Sequence, residues 1–254
     1  NSLYTAETNF NQDFNGDNLI RTANKLFVPS VLDYELHDLL SIDWSKMIKD
    51  AVSENERVKY YIHNRNDSVK NVTTFTYFTG EIEYIDDVFL SLDDYIDLDF
   101  TRTFDINSAD IKIYKALDLS GNTIGLTETN NNTFDIFWEN GIPNNNDNKY
   151  TEYSHLSERD AFVISHEIGH ALGLEHPRDL PRATWHDSTD TLLSYNRVQL
   201  SNNKAPTFTN ADIATLKLLW GNEDDDNKHQ NINNRNAYSE GFKGSETKKI
   251  KFAK

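Results

Sequence analysis

Ser165–Pro177 reads SHEIGHALGLEHP and constrains the architecture of this chain more than any other part of the sequence. His166 and His170 are four residues apart, so a helix places both imidazoles on one face, about 40 degrees apart around the axis. Glu167 lies beside that face, where its carboxylate can reach a metal-held water without binding the metal itself. This spacing predicts a helix that carries two metal ligands and a base.

The residues after this helix supply a third candidate ligand. Gly173 permits a left-handed turn that ends the helix, and the chain can then double back to bring His176 to the same metal. Three histidines leave a coordination position open for water, as in catalytic zinc sites. A bare HExxH occurs in unrelated helices, so the glycine and the third histidine carry the specificity of the prediction.

Composition narrows the class of protein. The chain has 254 residues and a net charge of -16, and this charge disfavours nucleic acid as a partner because phosphates would be repelled. No cysteine is present, which excludes a disulfide scaffold and thiolate metal sites. No stretch approaches the roughly 18–20 apolar residues of a membrane span, so we expect no membrane anchor.

The chain divides into three parts by composition. Residues 1–24 form a polar segment, residues 25–222 form the predicted catalytic domain, and residues 223–254 form a polar tail or linker. In the first segment Asp13, Asn15 and Asp17 alternate as calcium ligands do, but the glycine and the glutamate of a standard calcium loop are missing. This segment is therefore either an ordinary turn or a calcium loop.

Hydrophobic periodicity predicts a mixture of helices and strands. Strands are predicted at Glu56–His63, Asn71–Phe78, Ala109–Leu117, Asn122–Thr129 and Thr133–Asn140. Helices are predicted within Val31–Ser53, at Ile82–Ile96, at Glu158–Leu172 after Ser157 as N-cap, and from Thr209 or Asn210 to a stop at Gly221. Asn122–Thr129 is the most polar strand, which predicts an edge that can pair with an extended peptide.

The motif and its surroundings resemble a known family. HExxHxxGxxH is the spacing of the metzincin metallopeptidases, and Pro177 after the third histidine makes the motif similar to the serralysin family. The segment DTLLSYN resembles the family's tight turn below the metal, and Tyr195 matches the tyrosine that ligates or approaches zinc. The resemblance covers roughly Val69–Asn222. It implies an α+β, zincin-like (metzincin) catalytic domain: a twisted mixed sheet with an antiparallel edge strand over the active-site helix, plus a C-terminal helical subdomain.

Two features depart from that family. Leu193 stands where the family has methionine, and a volume-conserving exchange of this kind costs under about 1.5 kcal/mol, so we expect the turn to persist. The glycine- and aspartate-rich calcium repeats of the family are missing from this sequence. Among the remaining histidines, His186 lies between the third ligand and the tyrosine turn, where it could contribute to the rim of the cleft.

The expected function is hydrolysis of peptide bonds in extended proteins or peptides by a zinc-dependent endopeptidase. A zinc-activated water attacks the scissile carbonyl, Glu167 serves as general base, and Tyr195 stabilises the oxyanion. Residues 196–206 are expected to line the pocket beyond the scissile bond. The resemblance also implies a bacterial protein that is secreted or at the cell surface. The alternative is a non-catalytic surface or adhesion module, stabilised by zinc or calcium.

Overall fold

The computed structural model describes residues 39–40, 56–130, 133–141, 150–180, 182–200 and 203–223. Three predictions lie outside these residues: the calcium loop of Asp13, Asn15 and Asp17, the polar tail beyond residue 223, and the helices within Val31–Ser53 apart from residues 39 and 40. In the described residues, no helix is both long and apolar enough to cross a membrane.

A seven-stranded mixed sheet forms the centre of the described fold. Its strands are β1 (Arg57–Ile62), β2 (Asp67–Val69), β3 (Val72–Thr74), β4 (Asp99–Arg102), β5 (Ile111–Ala116), β6 (Gly125–Asn130) and β7 (Thr133–Glu139). Strands β4, β1, β5 and β7 are parallel neighbours in that order, and β6 pairs antiparallel with β7. Among the described strands β6 pairs with β7 alone, so the predicted antiparallel edge strand is confirmed.

The strand predictions were incomplete on the β4 side of the sheet. Of the predicted strand Asn71–Phe78, only β3 is extended in the sheet, and Phe78 instead precedes a helix. The short hairpin partner β2 and the four-residue strand β4 were not predicted. A four-residue strand shows too few alternating positions to give a clear period in the sequence.

Within the described ranges, three α-helices accompany the sheet: α1 (Thr79–Asp93), α2 (Glu158–Ala171) and α3 (Asn210–Trp220). Helix α1 begins three residues before the predicted start at Ile82, because the Glu81 carboxylate accepts a hydrogen bond from the Phe78 backbone N–H at 2.8 Å and caps the first turn. The fold is therefore α+β with a mixed sheet.

The predicted N-caps Ser157 of α2 and Thr209 of α3 are both present in the structure. Ser157 caps α2 by accepting a hydrogen bond from the Asp160 N–H at 3.0 Å. Thr209, rather than Asn210, caps α3 in a reciprocal capping box with Asp212. Gly221 ends α3 with a φ of 98°, a left-handed conformation that favours glycine.

The main core lies between the sheet and helices α1 and α2. Alternate residues of the central strands face these helices, among them Ile111, Ile113, Ile136 and Trp138, all at most 1% exposed. A smaller apolar cluster around Tyr114 and Phe137 lies on the opposite face of the sheet. Helix α2 thus lies against β6 and β7, which places its motif beside the edge of the sheet.

Candidate metal centre

Helix α2 and the turn that follows it bring three histidines to one point. The Nε2 atoms of His166 and His170 are 3.1 Å apart, those of His170 and His176 are 3.2 Å apart, and those of His176 and His166 are 3.3 Å apart. Gly173 has a φ of 104°, so the left-handed turn predicted after the helix is present. The three predicted ligands therefore form a compact group that could hold a metal ion.

Two of the three imidazoles are oriented by a hydrogen bond at their other nitrogen. His166 Nδ1 lies 2.7 Å from the Leu192 carbonyl oxygen, and His170 Nδ1 lies 2.9 Å from the Leu174 carbonyl oxygen. A carbonyl can only accept, so both Nδ1 atoms carry the hydrogen and the Nε2 lone pairs face the centre of the group. His176 Nδ1 lies 3.4 Å from a Glu175 carboxylate oxygen.

Burial keeps these imidazoles neutral. It holds the pKa of His166 well below its usual range, and the neighbouring His170 lowers it further. Burial also lowers the pKa of His170, and it lowers the pKa of His176 to about 4 with a further contribution from His170. A neutral imidazole is the form that binds a metal, so the group is already in its ligating state at neutral pH.

The donor set fits zinc. Tetrahedral zinc with Zn–N bonds of 2.0–2.1 Å requires nitrogens roughly 3.3–3.4 Å apart, and the observed separations of 3.1–3.3 Å are close to this value. Calcium and magnesium prefer six or more oxygen ligands, which three imidazoles do not provide. The chemistry of the group therefore favours a transition metal with an affinity for nitrogen.

Glu167 lies beside the group and faces the edge strand. Its side chain is buried, and Thr127 Oγ1 of β6 donates a hydrogen bond to its carboxylate at 2.7 Å. Burial raises the pKa of Glu167 to about 7, although the Thr127 hydrogen bond opposes the shift. Gly125, two residues earlier in β6, leaves the space this side chain occupies: a Cβ there would lie 2.4 Å from Glu167 Oε1.

Tyr195 is also part of the site. Its ring centroid lies 4.8 Å from that of His176 and 5.5 Å from that of His166, and its side chain is 42% exposed. Burial, then the nearby Glu167, raises the pKa of the Tyr195 phenol, so the hydroxyl keeps its hydrogen at neutral pH. The residue matched to the family's tyrosine is therefore near the histidines.

The turn before Tyr195 forms a buried floor. Leu193, in the place of the family's methionine, is fully buried, and its side chain packs toward Gly169 of α2. Asp212 of α3 accepts hydrogen bonds from the Leu192 N–H at 3.0 Å and from the Thr191 hydroxyl. Because Leu192 also holds His166, α3 supports the metal group through this turn.

His186 has a role that the sequence left open. It is buried rather than at the rim, with Nε2 2.9 Å from the Leu180 carbonyl and Nδ1 2.7 Å from Ser194 Oγ. Ser194 Oγ also accepts from the Asn196 N–H at 3.1 Å, so His186 fixes both neighbours of Tyr195. Its spacing in the sequence carried no signal of these contacts.

A cavity of about 590 Å³ lies between the N-terminal half of α2 and the turn that contains Leu192, and its lining includes none of the three histidines. Phe162 of α2 and Leu192 of the turn contribute to its wall; the Phe162 ring centroid lies 5.8 Å from that of His166, and the Leu192 carbonyl is 2.7 Å from His166 Nδ1. Residues of the segment 196–206, among them Arg197, Leu200 and Pro206, line this cavity; that it is the pocket beyond the scissile bond stays a prediction. Phe162 and Leu192 thus lie between this cavity and His166.

The wall of this cavity is attached to the fold by main-chain atoms. The Leu200 N–H donates to the Glu158 carboxylate at 2.7 Å. The Pro206 carbonyl accepts from the Tyr84 hydroxyl at 3.0 Å, and the same Tyr84 oxygen hydrogen-bonds to Ser165 beside the first ligand. Tyr84 thus joins α1, α2 and the cavity wall.

Comparison with known proteins assigns this chain to no family. No family model matches the chain, and no curated protein matches it. Among solved structures it is similar to one described as the GM1 bound form of the ECX AB5 holotoxin, with 13% sequence identity, a TM-score of 0.42, and coverage of 69% of this chain and 87% of that one. A likeness of that size determines neither the fold family nor the activity.

Proposed function

We propose that this chain is a zinc-dependent endopeptidase of the metzincin type, with a serralysin-like active site. The supporting observation is the triangle of three imidazole nitrogens, 3.1–3.3 Å on each side, beside a buried glutamate from the same helix. The α+β fold with an antiparallel edge strand at the motif helix is compatible with a zincin catalytic domain. The motif spacing, Pro177 and the SY pair after Leu193 support the same assignment.

His166, His170 and His176 would hold the zinc ion. When bound there, zinc supplies Lewis-acid chemistry, which makes water a stronger nucleophile at neutral pH and polarises a peptide carbonyl. The hydrogen bonds of His166 and His170 to main-chain carbonyls orient both rings before the metal arrives. Three protein ligands leave room for water and substrate, whereas a purely structural zinc site has four.

Glu167 is proposed to move the proton. Its carboxylate accepts a proton from the attacking water and gives it to the nitrogen of the leaving amine, so no covalent intermediate with the protein forms. Burial raises the pKa of Glu167 to about 7 in the metal-free protein, a direction that favours proton uptake by this carboxylate. The hydrogen bond from Thr127 keeps the carboxylate turned toward the edge strand.

Tyr195 is proposed to stabilise the negative oxygen that develops on the scissile carbonyl. Its phenol is protonated at neutral pH and can donate a hydrogen bond, and its exposure leaves it within reach of substrate. Leu193 and the His186 contacts to Ser194 restrict the turn that carries it. The assignment of this tyrosine as an additional zinc ligand belongs to the same proposal.

The substrate is proposed to be an extended protein or peptide segment. Strand β6 has no partner on its outer side among the described residues, so its main-chain groups can pair with an added strand. Main-chain pairing provides affinity for any sequence, while the cavity beside Leu192 selects a side chain. This division predicts cleavage of many proteins with a preference at one substrate position.

The test is hydrolysis of a quenched fluorescent peptide library by zinc-loaded protein. Wild type should cleave, and both chelator and Glu167→Ala should abolish cleavage, while Glu167→Ala retains one zinc per chain. Glu83→Ala is the matched control, because it removes an exposed carboxylate on α1. If zinc-loaded wild type cleaves no peptide, casein or gelatin and metal removal unfolds it, the alternative of a non-catalytic metal-stabilised module replaces the peptidase.

A further inference from the structure

The side chain of Thr127 in strand β6 contacts Glu167, the proposed base. Thr127 Oγ1 lies 2.7 Å from the Glu167 Oε2 atom and 3.0 Å from the Glu167 main-chain oxygen. Gly125, Thr127 and Thr129 share the face of β6 that is directed toward α2, because side chains alternate along a strand. Within the described residues, the hydrogen bond to the Glu167 carboxylate comes from Thr127.

We propose that Thr127 is a positioning residue that holds Glu167 in register with a peptide paired to the edge strand. The inference rests on the proposed peptidase function. Since Thr127 belongs to β6, its hydrogen bond ties the base on α2 to the strand whose main-chain groups would pair with substrate. The distance from a paired peptide bond to the base is then set by strand geometry rather than by the flexible glutamate side chain alone.

A hydroxyl suits this role because it can donate and accept. When Glu167 is ionised, the Thr127 hydrogen points to Oε2. When Glu167 has taken the proton, its carboxyl O–H can donate to Thr127 Oγ1, and the threonine hydrogen turns to the Glu167 main-chain oxygen 3.0 Å away. Valine has the same shape but offers neither interaction.

The activity test compares Thr127→Val, Thr127→Ser and Thr73→Val on one cleaved peptide. Thr127→Val should lower kcat about 10- to 100-fold, the range for a lost hydrogen bond to a charged group, with KM changed less than about twofold and zinc content unchanged. Thr127→Ser keeps the hydroxyl and should retain most of the wild-type kcat. Thr73→Val makes the same substitution at an exposed position of β3, outside the proposed binding strand, and should match wild type.

A second test measures the interaction between Thr127 and Glu167 independently of activity. Urea unfolding of the zinc-free protein is measured for Thr127→Val, Glu167→Ala and the double variant. The shift in urea midpoint caused by Thr127→Val should be smaller when Glu167 is already absent, because the two side chains interact. Additive shifts would show that they do not interact, and would overturn the inference.

The outcomes separate this inference from the function on which it rests. If wild type cleaves and Thr127→Val keeps the wild-type kcat, the positioning role is wrong while the peptidase stands. A Thr127→Ser kcat as low as that of Thr127→Val would also overturn the role, because the hydroxyl would then not matter. If wild type cleaves nothing, both proposals fail, whatever the urea measurements show.

Discussion

Gly125→Ala tests whether the close contact between Glu167 and the edge strand matters for activity. Gly125 lies in β6 opposite Trp138, and its φ is outside the left-handed region, so alanine fits the backbone without strain. The added Cβ would lie 2.4 Å from Glu167 Oε1 and 2.7 Å from Val163 Cγ1, whereas ordinary contacts begin near 3.4 Å. The carboxylate must therefore move by about 1 Å.

A displacement of that size has a large effect on catalysis. Misplacement of a catalytic group by about 1 Å can lower the rate about 10²-fold, which is about 2.7 kcal/mol of transition-state stabilisation. The same substitution also lowers the free energy of unfolding, but by an amount that leaves a protein of ordinary stability folded. Overpacking against Val163 costs about 1–3 kcal/mol, and a flexible glutamate tip relieves part of it. Zinc binding should be unaffected because no ligand is touched.

The assay measures kcat, zinc content and urea unfolding for Gly125→Ala and for Leu126→Ala. Leu126 is the next residue of β6, 42% exposed and directed to the other face, so its truncation controls for a general change in the edge strand. Gly125→Ala at wild-type kcat would refute the placement of Glu167 against β6. Equal losses of kcat in both variants would show that the strand, rather than the contact with Glu167, matters.

Three further predictions follow from the site and the core. His170→Ala should reduce bound zinc, measured by metal analysis, at least about tenfold, and should remove the rise in melting temperature on zinc addition. Leu193→Met should change the free energy of unfolding by under about 1.5 kcal/mol, whereas Leu193→Ala should lower it by about 2–5 kcal/mol in urea titrations; equal effects would contradict the packed floor. Burial lowers the pKa of His63 below its unfolded value of 6.5, so its contribution to stability is present above pH 6.5 and is lost as pH falls through the lowered value. His63→Leu should therefore be less sensitive to acid than wild type in urea titrations between pH 7 and about 4.

The sequence predicted the parts of the site that are close together along the chain. His166, His170 and His176 lie within eleven residues, and one helix followed by a glycine turn brings them together. Tyr195 was placed by resemblance, and the structure puts its ring beside His176. Polarity alone identified the edge strand, because an exposed edge does not require a continuous apolar pattern.

The parts that the sequence did not predict depend on distant contacts. Thr127 and Glu167 are forty residues apart, so their hydrogen bond has no local signal. Strand β4 contains Arg102, a buried cation that masks the apolar alternation and is held by Asp86 at 2.9 Å. His186 likewise meets Ser194 only after the loop folds.

The cavity wall is held in place by main-chain atoms, so its side chains can be changed without loss of these hydrogen bonds. Leu200 and Pro206 are tied to the rest of the protein by their main-chain atoms, while the side chain of Val198 and that of Leu200 line the cavity. Substitution of these side chains leaves the anchors intact, and the histidines lie on a different segment. If the proposed peptidase function holds, substitutions at Val198 and Leu200 should change the cleavage preference without altering the three histidines, and a library randomised at these two positions tests this.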